Sequence, residues 1–423
     1  MKLKSLKAYE PLFFNFCFTL AALALVMALF FDAFSVQVFY CLSYVGIIYF
    51  VVDVIKKRVV VNRALALLCL SLVLVGITRF LWGKYFHGSS WGDVVYNYTT
   101  GGKRFLLAAF LVWFFWYRKH LLYENTIKLV TGILVLGSLA LVYFGYQEWA
   151  ITQRRIQLGT DSSGTVSYLI VFIFITCLAF LKRIINNPTV SLIVFIAILG
   201  LNMAVLFITE SRAALIFTPQ IYFVYFLFHY RFISWKWKLA TLLASAVIIT
   251  ALIPTSVWDR MYSIQTEVSS YDNNNNTSIG ARFSIWKSGW HSTEFSLIGQ
   301  SPDERNTKAR NWINSKERGN PEAYKNVIFH LHDDLLETLS LQGLMGLLSV
   351  LLFYFATAWH ALKNKRHELF YLLLTLVMFG LTDTVLIQRQ TVMILCLCIL
   401  LVGTLSSSQK KDTKKMDAMN NAR

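Results

Sequence analysis

The stretch VSLIVFIAILGLNMAVLFIT, residues 190–209, runs for twenty residues without a formal charge. At about 1.5 Å of rise per residue, a helix of that length crosses the roughly 30 Å hydrocarbon core of a bilayer. The run ends at Glu210-Ser211-Arg212, and a second apolar run begins at once. Two apolar runs separated by so short a polar break predict a polytopic helical membrane protein, and the rest of the chain repeats the pattern.

Composition agrees. Only 15% of the 423 residues are charged and 56% are hydrophobic, with a mean hydropathy of +0.53. Soluble domains carry about 25% charged residues. A transmembrane β-barrel would show shorter segments of alternating polarity, so the expected fold class is all-α. The formal charge of +17 comes from 40 basic and 23 acidic residues. The basic residues are scattered through short connections between apolar runs, which sets membrane topology rather than binding nucleic acid. Cys17, Cys41, Cys69, Cys177, Cys396 and Cys398 all lie inside apolar runs, so the long polar stretch holds no disulfide framework. Cys396 and Cys398 point to different faces of a helix and make no metal pair.

About twelve spans are expected: 11–31, 36–55, 64–82, 105–116, 127–147, 165–181, 190–209, 213–228, 239–253, 345–362, 370–387 and 391–405. The basic segment Met1 to Lys7 precedes a run too long for a signal-peptide core, and it reads as the start of a retained first span. Basic residues recur on every second connection, at Lys56-Lys57-Arg58, Arg118-Lys119, Lys182-Arg183, Lys236 with Lys238, and Lys365-Arg366. By the positive-inside rule those connections face the cytoplasm, and an even number of spans places both termini there. The expected organisation is then 1–253 for spans one to nine, 254–344 for one large outward loop, 345–405 for spans ten to twelve, and 406–423 for a disordered polar tail.

Within the loop, Ser278 to Trp290 has the apolar and aromatic spacing of an amphipathic helix lying on the membrane. Residues 303–325 are rich in charge and read as solvated. The stretch His330-Leu-His332-Asp333-Asp-Leu-Leu-Glu337 leads into Gly343 and Gly346, with Gly343 placed to end or bend a helix.

Ionisable groups at span ends on the outward side need an explanation, because charge at membrane depth is expensive. They are Arg212, Arg282, His330, His332, Asp383 and Arg389, with Lys103, Arg104 and Arg155 near the same surface. Guanidinium forks suit phosphate oxygens, and imidazole is the usual general base near neutral pH. Each residue also has a plainer reading: a helix cap or snorkelling side chain for Arg212, a lipid-headgroup contact for Arg282, a structural ion pair for Asp383 with Arg389. Glu337 reads as a packing group or one that orients a neighbour. His330 and His332 with Asp333 and Asp334 imitate a metal site, but residues two apart on a helix do not share a face, and no metal is expected.

The segment from His332 to Gly346 resembles the signature of the bacterial O-antigen ligases, a His followed by a small polar residue and, further on, a Gly-x-x-Gly pair. This chain has Asp333 where that family carries Asn, Ser or Gln. Thr209-Glu-Ser-Arg212-Ala resembles the family's arginine at the seventh–eighth junction, Ile279-Gly-Ala-Arg282 its loop arginine, and Gly380-Leu-Thr-Asp383 with Arg389 its penultimate-span segment.

The resemblance implies a glycosyltransferase of GT-C-like architecture in the bacterial inner membrane, with its active site facing the periplasm. It implies transfer of O-polysaccharide from undecaprenyl pyrophosphate to a terminal sugar of lipid A–core, with inversion and without metal or other cofactor. His332 would be the catalytic base and Arg212 and Arg282 the pyrophosphate clamp. Asp333 or Glu337 would orient the imidazole, and His330, Asp383 and Arg389 would support the site. An O-antigen polymerase shares the donor and the multispan plan. A transporter of lipid-linked sugars is the remaining alternative, although its charges would be expected nearer mid-membrane.

Overall fold

The computed structural model describes residues 2–57, 62–231, 233–236, 238, 239, 243 and 255–405. It is all-α. Eight helices come first: α1 Lys2–Met27, α2 Asp32–Ile55, α3 Arg63–Tyr85, α4 Gly92–Tyr117, α5 Glu124–Thr152, α6 Ser163–Ile184, α7 Pro188–Thr209 and α8 Arg212–His229. Four follow in the loop: α9 Thr255–Ser269, α10 Ser278–Ser292, α11 Pro302–Lys316 and α12 Pro321–Asn326. The chain returns to long apolar helices with α13 Asp334–Lys363, α14 His367–Gly380 and α15 Arg389–Thr404.

Local chemistry starts several of them. Asn62, Ser162 and Asn187 accept hydrogen bonds from the first free N–H groups of α3, α6 and α7, as N-cap residues do. Pro188 opens α7 where its missing N–H costs nothing. Packing selects the rest. α6 is enclosed almost all round, with Val166 to Phe180 buried. α3 and α4 cross so closely that a Cβ on Gly76 would meet Gly102 O at 2.8 Å, and one on Gly102 would meet Gly76 O at 2.8 Å. Small residues at such crossings are how helices approach each other where lipid removes the hydrophobic drive between them.

The expected count of about twelve spans is corrected by the structure. Among the described residues, seven helices are long and apolar enough to cross a membrane: α1 from Tyr9, α2, α3, α5, α6, α7 and α13. The apolar core of the expected fourth span belongs to α4, whose first half carries Asp93, Asn97, Lys103 and Arg104. The expected eighth span is α8, 18 residues interrupted by Pro219 and Gln220. The last two expected spans correspond to helices of 14 and 16 residues. What looked like the outer end of one, residues 381–387, is non-helical; Leu381 is exposed, but Thr384 to Ile387 are buried in the protein, with Val385 and Leu386 at 0% exposure. Irregular backbone at such depth is tolerated where protein covers it. The expected ninth span, apart from Leu239 and Leu243, and the tail after Leu405 lie outside the described residues.

The loop folds around its own core. α10 turns a face of small residues, Gly280, Ala281, Ser284, Ser288 and Gly289, onto its neighbours. Ala281 and Ile285 pack with Ala309 and Ile313 of α11 and Ala323 of α12. The charge-rich stretch expected to be solvated thus supplies Ala309, Ile313 and Ala323 to this core.

One backbone crossing ties this loop to α13. Gly343, at φ +64 and ψ −159, breaks the helix from within. Leu344 N–H and Met345 N–H, released by the break, donate to Ser296 O and Leu297 O, while Gln300 N–H donates to Leu341 O. Gly299 sits opposite at φ +81, where a Cβ would meet Leu341 O at 1.9 Å. Only glycine fits both the positive φ and the close approach.

Candidate functional site

His332 lies between the loop core and the start of α13, with φ +53. Left-handed backbone costs a non-glycine residue roughly 1–2 kcal/mol, and such strain concentrates where geometry is under functional constraint. Three contacts hold it. On one side Leu331 is fully buried, and its N–H donates to Glu337 Oε2 at 2.8 Å. On the other, Asp333 caps α13 by accepting from Leu336 N–H at 2.7 Å. Trp286 Nε1 of α10 donates to the carbonyl of His332 itself at 3.2 Å.

The ring faces Asp383, from the α14–α15 connection. His332 Nδ1 lies 3.4 Å from Asp383 Oδ1, and His330 Nδ1 lies 3.9 Å from the same oxygen. These are electrostatic contacts longer than formed hydrogen bonds. The two imidazoles pack edge to face with centroids 4.2 Å apart. Burial, reinforced by the His332 ring and opposed by Asp383, pushes His330 down to about 3 and keeps it neutral. Burial alone would raise the Asp383 carboxyl, but His332, His330 and the Arg282 cation together hold it well below the usual carboxylate range. The site therefore presents an ionised carboxylate, a histidine held neutral, and His332 between them.

Arg282 is partly buried on α10. Burial lowers its pKa, with Asp383 opposing and Arg212 reinforcing the shift, and a guanidinium stays charged under any such shift. It makes no hydrogen bond or ion pair among the described residues, so its donors are open. Arg212 begins α8 and donates to Glu267 Oε1 at 2.7 Å and Ser263 Oγ at 2.8 Å, while Nε and Nη1 have no partner. Glu267 also accepts from Ile279 N–H at 2.9 Å, at the start of α10. One carboxylate thus joins the first arginine to the helix that carries the second. Burial would raise Glu267, yet the bonds from Arg212, Ile279 and Ser263 leave it below its ordinary value.

The other residues singled out from sequence go elsewhere. Asp333 is the N-cap of α13, a role for which Asn, Ser and Asp are near equals. Burial raises its carboxyl. Glu337 is fully buried against Arg305 Nη1 at 2.9 Å and accepts from Leu331 N–H, while Asp333 accepts from Leu336 N–H. Arg389 lies over the Tyr96 ring at 4.8 Å rather than against Asp383. Arg155 pairs with Glu210 at 3.3 Å, Lys103 stands over Phe80, and Arg104 is buried. Sequence reasoning passed over Arg79, Glu267 and Arg305, and it gave Trp286 and Asp334 no part in holding the site. For Arg79, a lone arginine inside an apolar run was a usable signal; for Trp286 and Glu267 there was none.

His330, His332 and Asp383 each offer one ligand atom, all within 4.8 Å of one another, a donor set that suits a divalent ion. Beside the site, a cavity of about 630 Å³ runs between α10 and α13. Trp286, Lys287, Trp290 and His291 form one wall, and Asp333 with a row of leucines, Leu335 to Leu351, forms the other.

Residues 195–351 match the family described as O-Antigen ligase. The segment includes Arg212, Arg282 and His332. The chain is 26% identical to the protein named O-antigen ligase of Escherichia coli (strain K12), over 95% of this chain and 96% of that one. It is also 25% identical to an uncharacterized protein of Haemophilus influenzae, over 60% of this chain and 62% of the other.

Proposed function

We propose that this chain, which belongs to the O-antigen ligase family, transfers O-polysaccharide from undecaprenyl pyrophosphate to a terminal sugar of lipid A–core. The reaction takes place at the periplasmic face of the inner membrane. The observation that carries this reading is the His332–Asp383 contact, with the open donors of Arg282 beside it.

In the proposed step the acceptor hydroxyl oxygen attacks the anomeric carbon from the face opposite the pyrophosphate. The new C–O bond forms as the bond to the pyrophosphate oxygen breaks, giving inversion. His332 takes the hydroxyl proton on Nε2. Asp383, held ionised at Nδ1, keeps the ring in the tautomer that leaves Nε2 open and stabilises the imidazolium as it forms. The leaving pyrophosphate gains negative charge, which Arg282 and Arg212 meet with charged donors. The leucine-lined cavity suits a substrate's lipid tail, with Asp333, Lys287 and His291 as polar groups in its lining.

The deciding experiment is reconstitution of the purified protein with lipid-linked O-antigen and rough lipopolysaccharide. Polysaccharide attached to core is the expected product. Longer polyprenyl-linked chains would make the protein a polymerase, and donor moved across the bilayer unchanged would make it a transporter.

A further inference from the structure

The segment that carries Asp383 is held by its backbone, and the groups that hold it are ionisable side chains buried among the helices. Leu386 lies three residues after Asp383. Its carbonyl accepts a hydrogen bond from Arg79 Nη1 of α3, and its N–H donates to Asp334 Oδ1 of α13 at 2.9 Å. Arg79 and Asp334 are each 1% exposed. Further along, the carbonyl of Arg389 accepts from Arg104 Nη1 of α4 at 2.5 Å. Both hydrogen-bonding groups of one residue's main chain are thus taken by ionisable side chains from two different helices.

Ionisable groups in such a place are costly to keep, and apolar packing alone would anchor a loop. The Arg79 guanidinium is partly compensated by the rings of Tyr98 and Phe105, at 5.3 and 5.5 Å. Asp334 is the second residue after His332, so one side chain belongs to the histidine's segment and grips the carboxylate's segment. Gly380 completes the closure, because a Cβ there would meet Asp334 Oδ2 at 2.8 Å. A side chain at 380 forces the Asp334 carboxyl or the end of α14 to shift.

We propose that Arg79 and Asp334 are positioning residues that clamp the main chain of Leu386 and so hold Asp383 facing His332. Neither touches substrate; both act through the 3.4 Å contact between the histidine and the carboxylate. Their effect on transfer rests on the reading of His332 and Asp383 given above.

The test uses the full chain in lipid nanodiscs with two readouts. Hydrogen–deuterium exchange of peptides covering 381–388 needs no substrate. In Arg79→Met it rises by about tenfold or more while exchange in 302–326 is unchanged, and the transfer rate falls by a similar factor with acceptor KM unchanged. Arg79→Met combined with Asp383→Asn is no slower than Asp383→Asn alone, because both remove the same contact. Arg79→Lys, which keeps a donor, recovers part of both signals. Should Arg79→Met fail to accumulate, Gly380→Ala loosens the same segment without removing a charge. Exchange at 381–388 equal to that of the parent protein, or transfer losses of Arg79→Met and Asp383→Asn that multiply, overturns the clamp. A parent protein that performs no transfer overturns the ligase reading instead, and the exchange result still decides whether the clamp exists.

Discussion

His332 Nδ1 and Asp383 Oδ1 face each other at 3.4 Å across the junction of the loop with the α14–α15 connection. They come from segments fifty residues apart in sequence, and the carboxylate is held ionised there. Asp383→Asn keeps the shape and removes the charge. Transfer should fall on the order of 10²–10⁴-fold, the range of a lost general-base interaction, with membrane abundance unchanged. His332→Ala should abolish transfer, whereas His330→Ala should leave measurable activity because burial makes that ring too weak a base to take the acceptor proton. Initial rates normalised to protein amount separate the three, and a His332→Ala protein that still transfers ends the general-base assignment.

The same cluster predicts an acid-sensitive stability. His330 has its pKa lowered from 6.5 to about 3 in the folded protein. For a base, that means the unfolded chain takes up the proton first as pH falls. Stability is unaffected above pH ~6.5 and declines between ~6.5 and ~3, where the unfolded state binds more protons. Asp383 is depressed, so its contribution is complete above the unfolded carboxylate value of roughly 3.9 and is lost only below it. The interval from about pH 6.5 to 4 therefore separates the His330 contribution from that of Asp383. Thermal unfolding midpoints in nanodiscs should drop across that interval, and His330→Gln should flatten the drop. Parallel slopes for the two proteins would show that another group titrates.

Sequence made the class legible because hydrophobic length is a local property, and residues 190–209 needed nothing else. The span count was not legible, since composition does not distinguish an apolar segment facing lipid from one buried in protein, as Val385 and Leu386 are. Arg305 shows the reverse case: in a run of charges it looked solvated, yet it is 0% exposed because its partner, Glu337, lies 32 residues away. His330, His332 and Asp383 were each visible as residue types, but their meeting depends on a loop held through its main chain, about which side chains in that loop say nothing. Asp333 is the instructive mismatch. Set beside Asn, Ser and Gln it looks like a changed site residue, whereas the structure uses it as a helix cap accepting from Leu336 N–H.

Arg212 and Arg282 should separate by substitution chemistry. Arg212 is held by Glu267 and Ser263, so Arg212→Lys loses that two-point grip as well as the fork offered to phosphate. Arg282 has no such anchor, and Arg282→Lys should retain more of its function. In donor titrations, both alanine variants should lower the transfer rate by at least ~10²-fold, the usual loss when an oxyanion donor is removed. Normal turnover of the pyrophosphate donor in both would remove the clamp from the mechanism.

Two histidines and a carboxylate with ligand atoms within 4.8 Å of one another invite a metal test. The proposed step uses guanidinium charge on the leaving group and needs no Lewis acid. EDTA should therefore leave transfer by the purified protein unchanged. Inhibition by chelator that zinc or manganese restores would instead make His330, His332 and Asp383 ligands, and proton removal would pass to a metal-bound group.

The pair Arg305–Glu337 is 0% exposed on both sides, and Glu337 Oε2 also accepts from Leu331 N–H, one residue before His332. Arg305 in turn donates to Asn306 Oδ1, and Asn306 donates to Ile328 O. Breaking a buried pair from one side leaves a charge without compensation and costs about 3–5 kcal/mol. Glu337→Gln should therefore destabilise the loop locally, seen as faster hydrogen exchange across α11, α12 and residues 328–332, while α3 and α6 stay protected. Transfer should fall with it, since His332 loses the support on its N-terminal side. Replacing both partners with apolar residues of similar volume, Arg305→Met with Glu337→Leu, removes the stranded charge and should restore exchange protection in α11. If the double variant exchanges as fast as Glu337→Gln, the pair matters for its specific hydrogen bond to Leu331 rather than for charge compensation.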